Sequence, residues 1–418
     1  MIAGRNIVCI ASSWFDHPTS KHHLMRILAE QNHVVWVSCH ASRRPSLSTH
    51  DARAVLRRLR QAWAGPQRVR PNLDVLSPVL IPLPTSPWAR RVNAGLLARR
   101  IRRVLSRGLQ PARPGATRGG AARAEARGSS PTQLWLFAPD VPELIAHLRP
   151  ERTVYYCADD FAAFDGFDAA CMEQLEARTI AASDLVITTS QELYDTRRRQ
   201  HPHTHLVPHG VDFDHFAAAV DVPADRIPAD IRNVPHPVLG YFGLISDYVD
   251  LDLIAAAARR KPEWSFVLIG DRRRALAPLS GLPNVHALGG RPYEQLPAYC
   301  RAFDVGLIPF RMNRLVRAVN PIKLGEYLAA GLPVVSAPMP AVLEYAPAVR
   351  TAETADEFIA ACAAALRETD DHSRRARQKL VRSESWRRRV EWLSQLVTTG
   401  DEPVAVPPPV PATVGSAA

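Results

Sequence analysis

Between Asn313 and Ser336 the chain reads NRLVRAVNPIKLGEYLAAGLPVVS, its densest run of residues able to do chemistry. Pro321 stands just ahead of a helical pattern whose first turn includes Lys323. Free N–H groups and the dipole at such a helix start make a site for an anion, and a diphosphate fits that end. Lys323 adds a full positive charge. Glu326, one turn on, can accept two hydroxyl hydrogen bonds from a ribose while phosphates occupy the helix tip. An isolated Lys-x-x-Glu is ordinarily a solvated surface pair. Here the preceding Asn-Pro, the AAGLPVV turn into an apolar strand and the position in a second α/β region favour binding.

Two further clusters follow strand-like runs. After IVCIA come Lys21, His22 and His23, which could bind phosphate or shuttle a proton, or could simply fill the first turn of a helix. After TVYYC come Asp159 and Asp160, placed where a general base or an acceptor of hydroxyl protons acts, with capping of the next helix as the alternative. Asp160 is the candidate catalytic group.

These residues need a scaffold, and the alternation of signals supplies one. IVCIA at 7–11, a helical pattern through Leu24, Ile27 and Leu28, and VVWV at 34–37 read as β-α-β, with Thr19 or Ser20 as the N-cap and Asn32 as the C-terminal cap. LWLF at 134–137, TVYYC at 153–157 and LVITT at 185–189 continue the pattern. It restarts with VLGYFG at 238–243, a helix at 251–260, FVLIG at 266–270, VHALG at 285–289, a helix at 293–302, VGLIPF at 305–310, a helix at 323–330 and PVVS at 333–336. The expected class is α/β, two tandem Rossmann-like domains with a ligand cleft between them, facing the carboxyl ends of both sheets. The first domain is expected over 1–205 with a low-complexity insertion at 108–131, and the second over 206–383. A helix at 384–399 is expected to return to the first domain, with Trp386, Val390, Leu393 and Val397 on its packed face, and a disordered Pro-rich tail to fill 400–418.

Composition narrows the function classes. A chain of 418 residues, 46% hydrophobic and 22% charged, is neither disordered throughout nor collagen-like, and 36 prolines are its one outlier. No apolar stretch is long enough to span a membrane, and Ile7–Ala11 is too short for a signal h-region, so a cytoplasmic location is expected. The six cysteines have neither zinc-site nor disulfide-framework spacing, and no metal site is expected. The net charge of +11 is uneven: residues 1–150 hold 23 Lys/Arg against 7 Asp/Glu, which concentrates the basic excess there. Such a segment meets an anionic partner. With only Trp63 and Trp88 as aromatics between Arg43 and Arg127, a nucleic-acid stacking platform is missing and no nucleic acid is expected.

NPIKLGEYLAAGLPVVS, with PHGVDFDHF upstream, resembles bacterial sugar transferases of the GT-B fold: glycosyltransferase family 4 and its relatives in exopolysaccharide and teichuronic acid synthesis. The resemblance covers most of the chain outside 108–131 and the tail. It implies a hexosyltransferase that moves a sugar from a nucleotide diphosphate with retention of configuration. The UDP- or GDP-linked donor is a co-substrate, and no separate cofactor or metal is needed. The resemblance places Glu326 on the ribose and the backbone of Ile322, Lys323 and Leu324 around the diphosphate. Gly243, Asn320 and the Gly289-Gly290 pair join the nucleotide-sugar set, the last as a loop that lets backbone approach the nucleobase. Lys21, His22 and His23 fall on the loop that faces acceptor and donor phosphate.

The departures are specific. A second Glu of the family pattern is replaced here by Ala318, and the Arg and Lys that often follow the first strand of the second domain are absent from FGLISDYVDLDL, which holds only acids. Lys323, Arg291 and Arg311 are then the cations available to a departing diphosphate. His209 stands where Asn is usual and reads as hinge geometry.

The basic segment fits the same function. DARAVLRRLRQAW at 51–63 and WARRVNAGLLARRIRRVL at 88–105 read as basic amphipathic helices, suited to an anionic membrane surface or, alternatively, to a core with a solvated Arg face. The expected partners are a nucleotide-sugar donor and a glycan or polyprenyl diphosphate-linked acceptor in cell-surface polysaccharide synthesis. A nucleotide-sugar 2-epimerase, or a nucleotide-sugar-binding homologue without catalysis, are the other readings.

Overall fold

Strands buried on both faces read as continuous apolar runs, and NIVCIA is one: every residue of β1 (Asn6–Ala11) is buried. The computed structural model describes residues 1–39, 65–81, 83, 85–107, 131–368 and 370–400. The helix expected at 51–63, the insertion at 108–131 apart from Pro131, and the tail beyond Gly400 lie outside the described residues. Two units form. One takes Met1–Thr188, Tyr194–Leu206 and the last helix from Val390; the other takes Thr189–Leu193 and Val207–Arg389.

The first unit holds β1 with β2 (His33–Ser38), β3 (Gln67–Arg70), β4 (Leu73–Leu76), β5 (Thr132–Leu136), β6 (Arg152–Cys157), β7 (Leu185–Thr188) and β8 (Thr204–Leu206). Their order is β3-β4-β2-β1-β5-β6-β7-β8, parallel except for the β3–β4 pair at one edge. The register aligns Ile10 with Leu136 and Leu136 with Tyr155, so the loops after β1 and β6 leave from the same edge of the sheet. That edge receives Lys21 and Asp159. The β3–β4 pair was not expected, because QRVR has no apolar run; Arg68 and His33 secure it by bonding Asp74 at 3.0 and 2.8 Å.

In the helix Ser20–Leu28, Thr19 is the N-cap and forms a reciprocal capping box with His22. The helix ends at Ala29 rather than at Asn32. Asn32 still serves it, donating to the carbonyls of Leu28 and Ile2 at 2.8 Å each.

The second unit is a wholly parallel sheet of β9 (Val238–Phe242), β10 (Ser265–Ile269), β11 (Val285–Gly289), β12 (Val305–Ile308), β13 (Val334–Ser336) and β14 (Val349–Thr351). The order is β11-β10-β9-β12-β13-β14. The helix Leu251–Arg260 is capped by Asp250, whose carboxylate accepts from the Leu253 N–H at 3.1 Å, and it buries Leu251, Ile254 and Ala258. The single helix expected over 293–302 is instead a 3-10 turn, Tyr293–Gln295, followed by the helix Leu296–Cys300. Pro297 sits in the first turn of that helix, where its missing N–H is tolerated, and so marks a new start. In the helix Trp386–Thr399, Trp386, Val390, Leu393 and Val397 are all buried, as their spacing predicts.

One contact fixes the functional helix Ile322–Ala329 on this sheet. Tyr327 lies flat over β12, and its hydroxyl accepts from the Phe242 N–H at 3.0 Å. A Cβ on Gly306 would come within 2.7 Å of the Tyr327 ring. Gly306→Ala is therefore expected to destabilise the fold by about 1 to 3 kcal/mol, as overpacking does. Thermal unfolding followed by circular dichroism should show Tm lowered by several degrees, and an unchanged Tm would mean that the helix is not seated by this contact.

Candidate functional site

The helix Ile322–Ala329 begins after Pro321, whose backbone is extended, and its first turn has no acidic residue and no side-chain cap. Its leading N–H groups are thus not taken by a carboxylate of their own. Lys323 extends from this turn over two rings, with Nζ 5.4 Å from the centre of Tyr241 and 4.9 Å from that of Phe310. Burial between the rings pushes its ammonium below the ordinary lysine range, and Glu326 opposes the shift. The Glu326 carboxyl is pushed up by burial, held back by Lys323 and by a hydrogen bond from Tyr293, and pushed further by the charge of Asp212. Tyr293 is itself fixed by His215, stacked on it at 4.8 Å and bonded through Nε2 to its carbonyl at 3.1 Å.

Gly243 completes this corner. Its φ is +133°, and a Cβ there would lie 3.1 Å from Cε and 3.3 Å from Nζ of Lys323. Gly243 and the neighbouring loop are locked together, since its N–H donates to Ile269 at 2.8 Å and a Cβ on Gly270 would fall 1.8 Å from the Gly243 carbonyl. Backbone, ammonium and carboxylate are therefore gathered within one pocket of the second unit. It can hold a phosphate at the helix tip and hydroxyl groups one turn deeper.

The other residues named from the sequence divide. Asn320 donates to the Thr189 carbonyl at 2.9 Å, and Ser190 donates to the Ala318 carbonyl at 2.6 Å, so both hold the loop ahead of the helix. The Ile322 and Leu324 backbones belong to the helix start itself. Gly290 abuts Asp271, whose Oδ1 would be 2.6 Å from an added Cβ. Arg291 is engaged by Asp230 at 2.5 Å and by the Tyr299 hydroxyl at 2.8 Å. Arg311 is engaged by Asp250 at 3.2 Å and Asp252 at 2.9 Å. The structure thus brings Lys323, Glu326 and Gly243 together and pairs both arginines with carboxylates of their own. Tyr241, Phe310 and Tyr293 were missed, for each joins the pocket from a distant segment and no spacing links it to Lys323 or Glu326.

In the first unit, His22 accepts from the Thr19 N–H at 3.1 Å through Nδ1, with its ring 5.4 Å from Trp14 and 4.8 Å from Trp36. Burial, aided by Lys21 and Arg26, pushes its pKa down to about 3. His22 thus caps the helix, and His23 is likewise buried in it. Lys21 is pushed down by burial and opposed chiefly by Asp159. Asp159 in turn is pushed up by burial and opposed by Lys21. Asp160 instead faces Arg197 at 3.5 Å, and that guanidinium also grips Glu176 at 2.8 and 3.2 Å. Asp160 thus belongs to a buried ion network, whereas Asp159 faces Lys21 at the carboxyl edge of the sheet. Among the described residues no group of three His, Cys, Asp or Glu side chains is placed to hold a metal ion.

Residues 236–368 match the family model described as glycosyl transferases group 1. A Bacillus subtilis (strain 168) protein described as a teichuronic acid biosynthesis glycosyltransferase is 29% identical over 276 residues, 60% of this chain and 68% of that relative. Sucrose-phosphate synthase from Thermosynechococcus elongatus superposes with a TM-score of 0.65 at 16% identity, over 94% of this chain and 98% of that one. Anabaena HepE in complex with UDP and glucose gives 0.60 at 14% identity, over 94% and 99% of the two chains. At these identities the solved structures establish the fold. The group 1 glycosyl transferase domain at residues 236–368 and the GT-B architecture shared along nearly the whole chain support a transferase enzyme.

Proposed function

We propose that this glycosyltransferase takes a hexosyl group from a nucleoside diphosphate donor and passes it, with retention of configuration, to a glycan or polyprenyl diphosphate-linked acceptor during assembly of a cell-surface polysaccharide. The observation that carries the donor half is the Lys323–Glu326 pair at the tip of the helix Ile322–Ala329, buried against Tyr241, Phe310 and Tyr293. Two further points support it. One structural neighbour is described as bound with UDP and glucose, another with UDP-2-fluoro glucose. A relative 29% identical over 276 residues is described as a teichuronic acid biosynthesis glycosyltransferase.

In this reading the bond from the anomeric carbon to the diphosphate oxygen breaks, and the electron pair leaves with the nucleoside diphosphate. Lys323 and the helix N–H groups meet that charge, in a pocket of low dielectric where such contacts are worth most. Glu326 holds the ribose hydroxyls, so that the donor is fixed in position before transfer. The acceptor hydroxyl forms the new bond and gives up its proton. Asp159, held by Lys21, is the carboxylate assigned to that end, and Asp160 with Arg197 maintains the loop. Peripheral association with an anionic membrane belongs to the same proposal. No helix among the described residues is long and apolar enough to cross one.

Calorimetric titration with UDP and with GDP tests the donor site. Glu326→Ala should weaken the preferred nucleotide at least tenfold, a loss of about 1.4 kcal/mol or more. If neither nucleotide binds, or the substitution changes nothing, the donor assignment is wrong.

The lowered Lys323 pKa gives a second expectation. The free protein loses this proton at a lower pH than an ordinary lysine would, whereas a bound diphosphate favours the charged form. Affinity should therefore fall as pH rises into the range below the usual lysine value, with proton uptake on binding. Titrations in buffers of different ionisation heat would reveal the uptake. Lys323→Met should bind more weakly and lose this pH dependence, and a parent whose affinity stays flat over that range contradicts the assignment.

A further inference from the structure

The helix Pro87–Arg107, PWARRVNAGLLARRIRRVLSR, carries no acidic residue. One face packs inward through Ala89, Ala94, Leu97, Ala98, Ile101 and Val104, all buried. That face alone accounts for its place in the fold. The opposite face is not simply solvated arginine, because it also exposes Trp88 at 64% and Leu96 at 44% of their surfaces. At 100° per residue, Trp88, Arg91, Leu96, Arg99 and Arg103 fall on one outward stripe. Two arginines of the helix are occupied: Arg90 pairs with Glu143 at 3.0 Å and Arg102 donates to the His147 carbonyl. Among the described residues no ion pair engages Arg91, Arg99, Arg100 or Arg103, all exposed. Val79 and Leu83, just before the helix, add exposed apolar surface at 48% and 53%.

We infer that this outward stripe is a docking surface for an anionic lipid bilayer. An indole half in water and half in hydrocarbon is at home at the headgroup level. The arginines, without a neighbouring acid on the helix, meet lipid phosphates, and their long stems let the charge stay at the headgroups while Leu96 and Trp88 dip below. A nucleic acid would meet the same charge, but the helix offers one exposed aromatic where single strands need several stacking rings. The inference rests on the transferase reading for its purpose, since a polyprenyl-linked acceptor is carried in a membrane. The surface itself is tested separately.

The full-length protein is sedimented with vesicles of phosphatidylglycerol and phosphatidylcholine, and with vesicles of phosphatidylcholine alone. The parent should sediment with the anionic vesicles and not the neutral ones, and high salt should release it. The double substitution Arg99→Glu, Arg103→Glu should lower the bound fraction at least tenfold. Trp88→Ser with Leu96→Ser should also weaken binding, and should do so even at low salt. All four side chains are exposed, so Tm should stay at the parent value in both variants. The inference is overturned if the parent does not sediment, if both variants sediment like the parent, or if the charge reversal affects only binding to a single-stranded oligonucleotide. UDP and GDP titrations of the same variants keep the two ideas apart. Lost sedimentation with unchanged nucleotide affinity supports the surface, whereas a parent that sediments but binds neither nucleotide keeps the surface and rejects the donor site.

Discussion

An ammonium and a carboxylate one helical turn apart, the first half-buried and the second buried, are the constraint on which the second unit depends. Lys323 lies between Tyr241 and Phe310, and Glu326 is touched by Tyr293, so each charge loses solvent and is answered mainly by the other. Such a pair is poor at stabilising a fold, because the cost of desolvation rivals the attraction. In the proposed function its worth lies in being ready for a ligand that carries the missing charges and hydroxyls. The surrounding architecture serves this: Tyr327 seats the helix on β9 and β12, Asn320 and Ser190 tie down the loop before it, and His215 steadies Tyr293.

Much of this was legible in the sequence, and the reasons are local. β1, β6, β9 and β10 are apolar runs bounded by turn residues, the helix Leu251–Arg260 carries its own cap, and Ile322–Ala329 is announced by Pro321 and its apolar spacing. Lys323 and Glu326 could be paired on paper because one helix presents both. What was not legible came from distance along the chain. The acids of FGLISDYVDLDL looked like a gap in the cation supply; two of them, Asp250 and Asp252, prove to be the partners that hold Arg311. Asp230 does the same for Arg291, and nothing near either residue announced it. The β3–β4 pair escaped notice because its first strand is mostly polar.

The adjacent acids Asp159 and Asp160 show how far backbone direction can separate neighbours. Successive residues at a strand end turn to different surroundings, so one meets Lys21 and the other joins Arg197, Glu176 and, through them, Tyr155 and Cys157. A doublet of acids in sequence is therefore two unlike sites in space. The His22-His23 pair teaches the same lesson from the other side. His22 gains a fixed structural task through Thr19 and two tryptophan rings, and in gaining it gives up the ability to titrate near neutrality.

The meeting of Gly243 and Gly270 bears on how this pocket could be re-engineered. Two loops touch there through bare backbone, both glycines holding dihedral angles that other residues resist, with no space for even a methyl group on the second. A library that randomised either position in search of a new donor preference would discard nearly all its members before any chemistry was sampled. Diversity is better spent on the side chains that line the pocket from elsewhere, Tyr293 and Phe310 among them, leaving the two glycines as fixed points around which a new specificity is drawn.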